Sequence, residues 1–253
     1  MKKCGIIPFR EGFNLLAGPR RGDPELLVEL GFLALPGKER CASAETVERA
    51  FLLLKGEVVF QWGGRAVRVS RGSWRDQGPY CLHVPAGMEV RIDGMADHSE
   101  LTVHRTENMA AFPAELIAPE DAWDTRRGAS GPDAGRGWNT RTVIGPGGCP
   151  ASRLILGETV LSPGHWSGPP EGQCVPPETA LFKFYPQNGF GLVKADGRAC
   201  LSTENTVVKL REDSGFQYVG APGYWQYCVW CARDCRDGSQ AGPKTGEGAG
   251  GPV

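Results

Sequence analysis

The chain carries almost no net charge: its 253 residues hold 28 Lys and Arg against 29 Asp and Glu, a formal charge of -1. That balance removes the global electrostatic attraction toward nucleic acid or an anionic membrane surface, so neither is expected as a partner. Long hydrophobic runs are missing as well. No segment approaches the length of a membrane span, and Met1-Lys2-Lys3 is followed by no apolar stretch of signal-peptide length, which sets the expectation of a cytoplasmic protein. Nor is there an even set of cysteines. Nine Cys without a secretion signal fit free buried thiols better than a disulfide framework. Cys228, Cys231 and Cys235 are tightly spaced, but no second ligand pair for a closed zinc site is evident nearby. Cys228 and Cys231 also lie in the strand-like stretch 224–231 and read as structural thiols.

What is abundant is turn chemistry, with 36 Gly and 20 Pro. Short apolar and β-branched runs occupy 25–35, 48–55, 57–61, 66–69, 80–84, 89–92 and 100–104, parted by turn residues such as Lys55-Gly56, Gly63-Gly64 and Asp93-Gly94. This rhythm predicts an all-β sandwich or barrel. Between 112 and 137 the composition shifts to Pro, Asp, Arg and Gly and predicts a linker. Beyond it the pattern repeats in outline, with runs at 153–161, 179–184, 190–194, 206–210, 216–219 and 224–232. Two tandem β units follow, an N-terminal barrel over 1–111 and a C-terminal barrel over 138–232. The tail over 233–253 has too few apolar residues to offset its ordering entropy and is expected to be disordered.

Residues 157–170 read Gly-Glu-Thr-Val-Leu-Ser-Pro-Gly-His-Trp-Ser-Gly-Pro-Pro. The stretch resembles the corresponding segment of the 5-deoxy-glucuronate isomerases of inositol catabolism. Glu178-Thr179, Pro186-Gln187-Asn188-Gly189-Phe190-Gly191 and Ala221-Pro222-Gly223-Tyr224 follow in the family's order, while residues 10–16 and Asn139-Thr140-Arg141 match upstream. The resemblance implies a bicupin, two tandem antiparallel β-barrels of the jelly-roll type. It further implies a divalent metal in the mouth of the C-terminal barrel and an aldose-to-ketose isomerisation of a sugar acid. The family's ligand slots, a His-x-His-Asp turn, a strand-opening Glu and a Gly-Tyr-His-Pro turn, are filled here by Glu171, Gln173, Glu178 and Gln217. Three of four ligands differ, and none of the four His occupies a ligand slot. Amide oxygens are poor ligands for zinc, iron or nickel, so no tightly bound cofactor is expected; such a set would hold at best a loosely bound hard cation such as Mn or Mg.

An isomerisation of this kind requires a polarised carbonyl and a group that carries a proton between neighbouring carbons. Glu178 is the candidate base; the alternative is a scaffold carboxylate bound to backbone or to Lys183. Glu171 is either part of the site or a solvated turn residue. Gln173 and Gln217 would hydrogen-bond sugar hydroxyls or each other. Lys183, Lys194 or Arg141 would bind the substrate carboxylate, against the alternative of surface solvation. His165 is a substrate-binding candidate or a structural residue packed by Trp166. His83 and His104 lie within strand patterns, and the first barrel reads as structural. Two functions compete, a sugar-acid isomerase and a catalytically inactive carbohydrate-binding or regulatory bicupin. Exposed barrel edges leave a homo-oligomer open.

Overall fold

The structure, a computed structural model, describes residues 2–6, 9–127, 137–145, 148–167, 178–195, 197–210 and 216–234. Its first half contributes β1 (Lys2–Ile6), β2 (Gly12–Ala17), β3 (Val28–Pro36), β4 (Arg40–Ala44), β5 (Glu48–Trp62), β6 (Arg65–Arg71), β7 (Cys81–Val84), β8 (Glu89–Gly94), β9 (His98–Thr106) and β10 (Glu115–Ile117). The second half contributes β11 (Trp123–Arg127), β12 (Trp138–Ile144), β13 (Leu154–Leu161), β14 (Trp166–Ser167), β15 (Thr179–Tyr185), β16 (Phe190–Ala195), β17 (Arg198–Thr203), β18 (Thr206–Lys209), β19 (Gln217–Gly220) and β20 (Trp225–Arg233). Among the described residues no helix is long and apolar enough to cross a membrane.

In the first half, an antiparallel sheet in the order β10-β7-β5-β9-β3-β2 faces a second layer in which β5 also pairs with β6 and β8, and β8 with β4. One strand serves both layers. The sequence predicts two strands with a turn at Lys55-Gly56; instead β5 runs unbroken for 15 residues. A register irregularity between Leu53 and Lys55 and a φ of 98° at Gly56 bend it from one layer into the other. A Cβ at Gly56 would lie 2.6 Å from the Ser99 Cα, so the bend admits no larger residue.

In the second half a seven-stranded sheet, β1-β18-β15-β20-β13-β12-β11, faces a four-stranded one, β14-β19-β16-β17. The expected all-β, two-unit cupin architecture is present, but the chain exchanges strands across it. β1 leaves the first half to pair with β18. Within the predicted linker, β10 pairs with β7 of the first half and β11 with β12 of the second.

Three apolar clusters result. Leu33, Phe51, Leu53, Phe60, Leu82 and Val103 are among those filling the bore of the first unit, and Phe182, Phe184, Tyr218, Cys228 and Trp230 that of the second. The largest lies in the seam between the units, where Leu30, Phe32, Leu52 and Leu54 meet Leu154, Leu156, Leu181, Tyr227 and Val229. β13 is therefore buried at every position, and β15 at all but its last. Successive side chains alternate between bore and seam. At roughly 1.5–3 kcal/mol for each buried Leu or Phe, the seam joins the units far more strongly than a linker would. Cys228 points into the bore and Cys231 into the seam. Side chains three apart on a strand face opposite ways, so these two cannot share a metal, and burial pushes both thiols upward in pKa.

Candidate functional site

The alternation along β15 decides where its chemistry goes. Ala180, Phe182 and Phe184 enter the bore, while Leu181 lines the seam and Lys183, two residues on, shares its face. Lys183 was expected to meet a substrate carboxylate or water; its side chain is instead only 6% exposed. Its ammonium lies 2.9 Å from Glu100, 3.0 Å from Glu204 and 3.1 Å from the Asn205 Oδ1, with the Phe32 ring centroid at 5.2 Å. Burial alone would push the Glu100 carboxyl up, but Lys183 and Lys55 hold it below the usual carboxylate range. Two carboxylates already saturate this lysine.

Glu178, just before β15, accepts the backbone N–H of Leu27 at 2.7 Å, Val28 at 3.3 Å and Arg233 at 3.1 Å. The carboxylate clamps the start of β3 to the end of β20. Gln217 faces outward on β19, opposite Lys194 of β16, while its neighbours Phe216 and Tyr218 point into the bore. The structure thus does not bring Glu178 and Gln217 together; Glu171 and Gln173 lie outside the described residues. His165 is half-buried, its Nδ1 2.9 Å from the Pro163 carbonyl and its ring beside Gly137. Arg141 donates to Glu158 at 2.7 Å and to the Gln77 carbonyl at 3.3 Å.

Of the four ligand positions that the resemblance implies for a divalent ion, only Glu178 and Gln217 lie among the described residues, and these two do not converge. No group of three or more His, Cys, Asp or Glu converges among the described residues. Phe182, Phe216 and Tyr218 pack together in the bore, their ring centroids 5.1–6.2 Å apart, and the Glu178 oxygens are directed at amides. The described residues do not fit the ion.

Sequence reasoning missed the buried charges of the seam. Glu158, fully buried on β13, accepts both oxygens' worth of hydrogen bonds from the Arg71 Nη2, at 2.8 and 2.9 Å, together with Arg141 and the Tyr227 hydroxyl. Trp74 stacks on Tyr227 with centroids 4.8 Å apart, and burial followed by the Glu158 charge pushes the Tyr227 phenol well up. Glu48 accepts from His83 at 2.7 Å, the Ser152 hydroxyl at 2.6 Å, the Asn108 amide at 2.6 Å and the Arg153 N–H at 2.9 Å. Burial opposes its ionisation, but those bonds outweigh it and hold the carboxyl below its ordinary range. One signal was available: Glu158 shares parity with Leu154, Leu156 and Val160, and an acid on a buried face requires a cation.

The KduI/IolB family model matches residues 25–236. Among solved structures, an IolB-like protein from Salmonella typhimurium superposes with a TM-score of 0.79 at 19% identity, over 92% of each chain. A putative glyoxylate-induced protein from Pseudomonas aeruginosa gives 0.66 at 12% identity, covering 92% of this chain and 82% of that one. The oxalate decarboxylase of Bacillus subtilis, an enzyme with Mn(II) centres, gives 0.57 at 9% identity over 90% and 75% of the respective chains. No curated protein sequence matches at a significant level. At such identities the structural likeness speaks for the cupin-type fold alone. The family match spans most of the length, and on that ground the chain belongs to the KduI/IolB family of sugar isomerase-like proteins.

Proposed function

We propose that the chain acts in the cytoplasm on a sugar acid of the 5-deoxy-glucuronate type, interconverting aldose and ketose in inositol catabolism, with a metal site altered from the family pattern. The family match over residues 25–236 carries this reading. Free thiols at Cys41, Cys81, Cys149, Cys228 and Cys231 favour a reducing compartment. The C-terminal unit keeps a carboxylate, Glu178, at the opening of β15, and Glu171 and Gln173 belong to the segment directly before it. For Glu178 to take a substrate proton it must release one of its three amide bonds, because both of its oxygens are already engaged by backbone N–H donors.

The same three bonds, with the outward-facing Gln217, favour a second reading: a carbohydrate-binding bicupin that has lost turnover. Proton NMR of 5-deoxy-glucuronate incubated with protein purified without chelator, with and without added Mn²⁺, separates the two. Conversion supports the isomerase; saturable binding without conversion supports the second reading; neither conversion nor binding refutes both. Stoichiometric zinc or iron in the purified protein would overturn the ligand argument.

A further inference from the structure

A cleft of about 550 Å³ opens at one end of the seam, away from either bore. Its wall combines Arg20, Leu27, Glu29, Val47 and Arg105 of the first half with Arg233 of the second. Four charged side chains form a closed, alternating ring at it. The Arg20 Nε donates to Glu29 at 2.7 Å and its Nη2 lies 3.3 Å from Glu45; Arg105 lies 2.8 Å from Glu45 and 3.7 Å from Glu29. Glu29 and Arg105 are about nine-tenths buried, and the Arg105 guanidinium sits 4.3 Å above the Phe13 ring. The ring is therefore held rigidly before any ligand arrives. Glu178 stiffens the same wall by holding the backbone of Leu27 and Arg233.

The Arg105 Nε is itself buried without a hydrogen-bond partner, a state that costs about 1–3 kcal/mol and is offset by the ion pairs of the guanidinium to Glu29 and Glu45. The lining carries Arg20, Arg105 and Arg233 against Glu29 and Glu107, and Glu45, paired to Arg20 and Arg105 from outside the lining, brings the group to three charges of each sign. A simple anion is not the favoured occupant. Sugar hydroxyls both donate and accept, so neighbouring hydroxyls complement a surface on which guanidinium N–H and carboxylate oxygen alternate. The half-exposed Leu27, with Val47, Pro19 and Pro24, offers an apolar wall for the C–H face of a ring. The volume falls within the usual range for small-ligand sites.

We propose that this cleft is a carbohydrate site separate from the C-terminal barrel, binding a monosaccharide-sized polyol, neutral or with one carboxylate, through the Arg20–Glu29–Arg105–Glu45 ring. The test is a titration of the full chain with D-glucose and with D-glucuronate, followed by methyl NMR of Leu27 and Val47. At least one probe is expected to shift both methyl sets saturably. Arg20→Ala, at a side chain 56% exposed and so safe for folding, is expected to weaken that probe about tenfold. Arg105→Lys, which keeps the charge and loses the planar fork, should do the same. The Gln217→Ala variant, altered on the outer face of the C-terminal unit, should leave the titration unchanged. Absence of saturable shifts with both probes up to about 0.1 M, or shifts unaltered by Arg20→Ala, overturns the proposal.

Discussion

Replacing Glu178 tests the structure and the proposed chemistry together. Its carboxylate accepts three backbone N–H groups, and two of them, from Val28 and Arg233, are partly buried. A hydrogen bond to a charged acceptor contributes about 1.5–3 kcal/mol when its donor is withdrawn from water. The Leu27 amide sits on a residue 50% exposed, where water takes over, and adds little. Glu178→Ala should therefore cost about 3 kcal/mol, and Glu178→Gln, which keeps one acceptor oxygen, about half that. In a chain of this size the alanine variant should melt roughly 6–12 °C lower. Urea unfolding followed by tryptophan fluorescence gives the free energy, and amide exchange at Leu27, Val28 and Arg233 localises it. An alanine variant within about 0.5 kcal/mol of wild type would refute the clamp. The glutamine variant, assayed well below its melting temperature, then isolates the chemistry: a kcat reduced about 100-fold or more per folded molecule assigns the base to Glu178, and an unchanged kcat removes it from the mechanism.

The remaining expectations concern the seam and the outer surface. Arg71→Met leaves the fully buried Glu158 short of its bidentate partner and should destabilise by about 3–5 kcal/mol; Glu158→Gln combined with it should recover part of that loss, and a coupling below about 1 kcal/mol in the double-mutant cycle would refute the pairing. Burial lowers the pKa of His104 from 6.5 to about 3, so the folded state keeps its imidazole neutral while the unfolded chain takes up a proton. This contribution is complete above pH 6.5 and falls by about 1.4 kcal/mol per pH unit as pH drops toward 3. Unfolding curves of His104→Asn should show a pH slope shallower by that amount over pH 4.5–6.5, and identical slopes would contradict the assignment. Trp166, Val219, Leu192 and Leu201 form one cross-strand row on the outside of the four-stranded sheet, with Leu192 44% exposed. Leu192→Lys should weaken self-association in sedimentation velocity across a concentration series while moving the melting temperature by less than about 2 °C; the same concentration dependence in both proteins rules this face out.

Much of the strand pattern could be read from turn residues and apolar runs, because β-branched stretches bounded by Gly, Pro and Asp have few other ways to satisfy their backbone. β3, β9, β13 and β20 all fall where such runs lie. What escaped was pairing. β1, β4, β11 and β17 are polar or short, and they are strands because a partner strand supplies their hydrogen bonds, which no local composition encodes. β5 escaped in the opposite sense: its Lys55-Gly56 has the signature of a turn, yet glycine there serves a bend within a continuous strand. The candidate site followed the same rule. Glu178 was read as the candidate base, with a scaffold carboxylate bound to backbone or to Lys183 as the alternative; in the structure its oxygens accept from backbone amides rather than from Lys183.

The two-unit architecture explains why the charged residues were harder to place than the strands. In a single barrel an inner strand has one buried face, so a charge at a buried position points into the bore, where ligands bind. Here β13, β15 and β20 are buried on both faces, and an acid or base at an inward position can be directed to the bore or to the seam. Periodicity distinguishes odd from even but not seam from bore. Lys183, Glu158 and Glu48 all went to the seam side, where each finds partners that hold the two units together across it. The C-terminal bore received Phe182, Phe184 and Trp230 instead. Among the described residues, a ligand-sized space lies instead in the cleft where the seam meets solvent. Glu178 fastens the wall of that cleft by holding the backbone of Leu27 and Arg233.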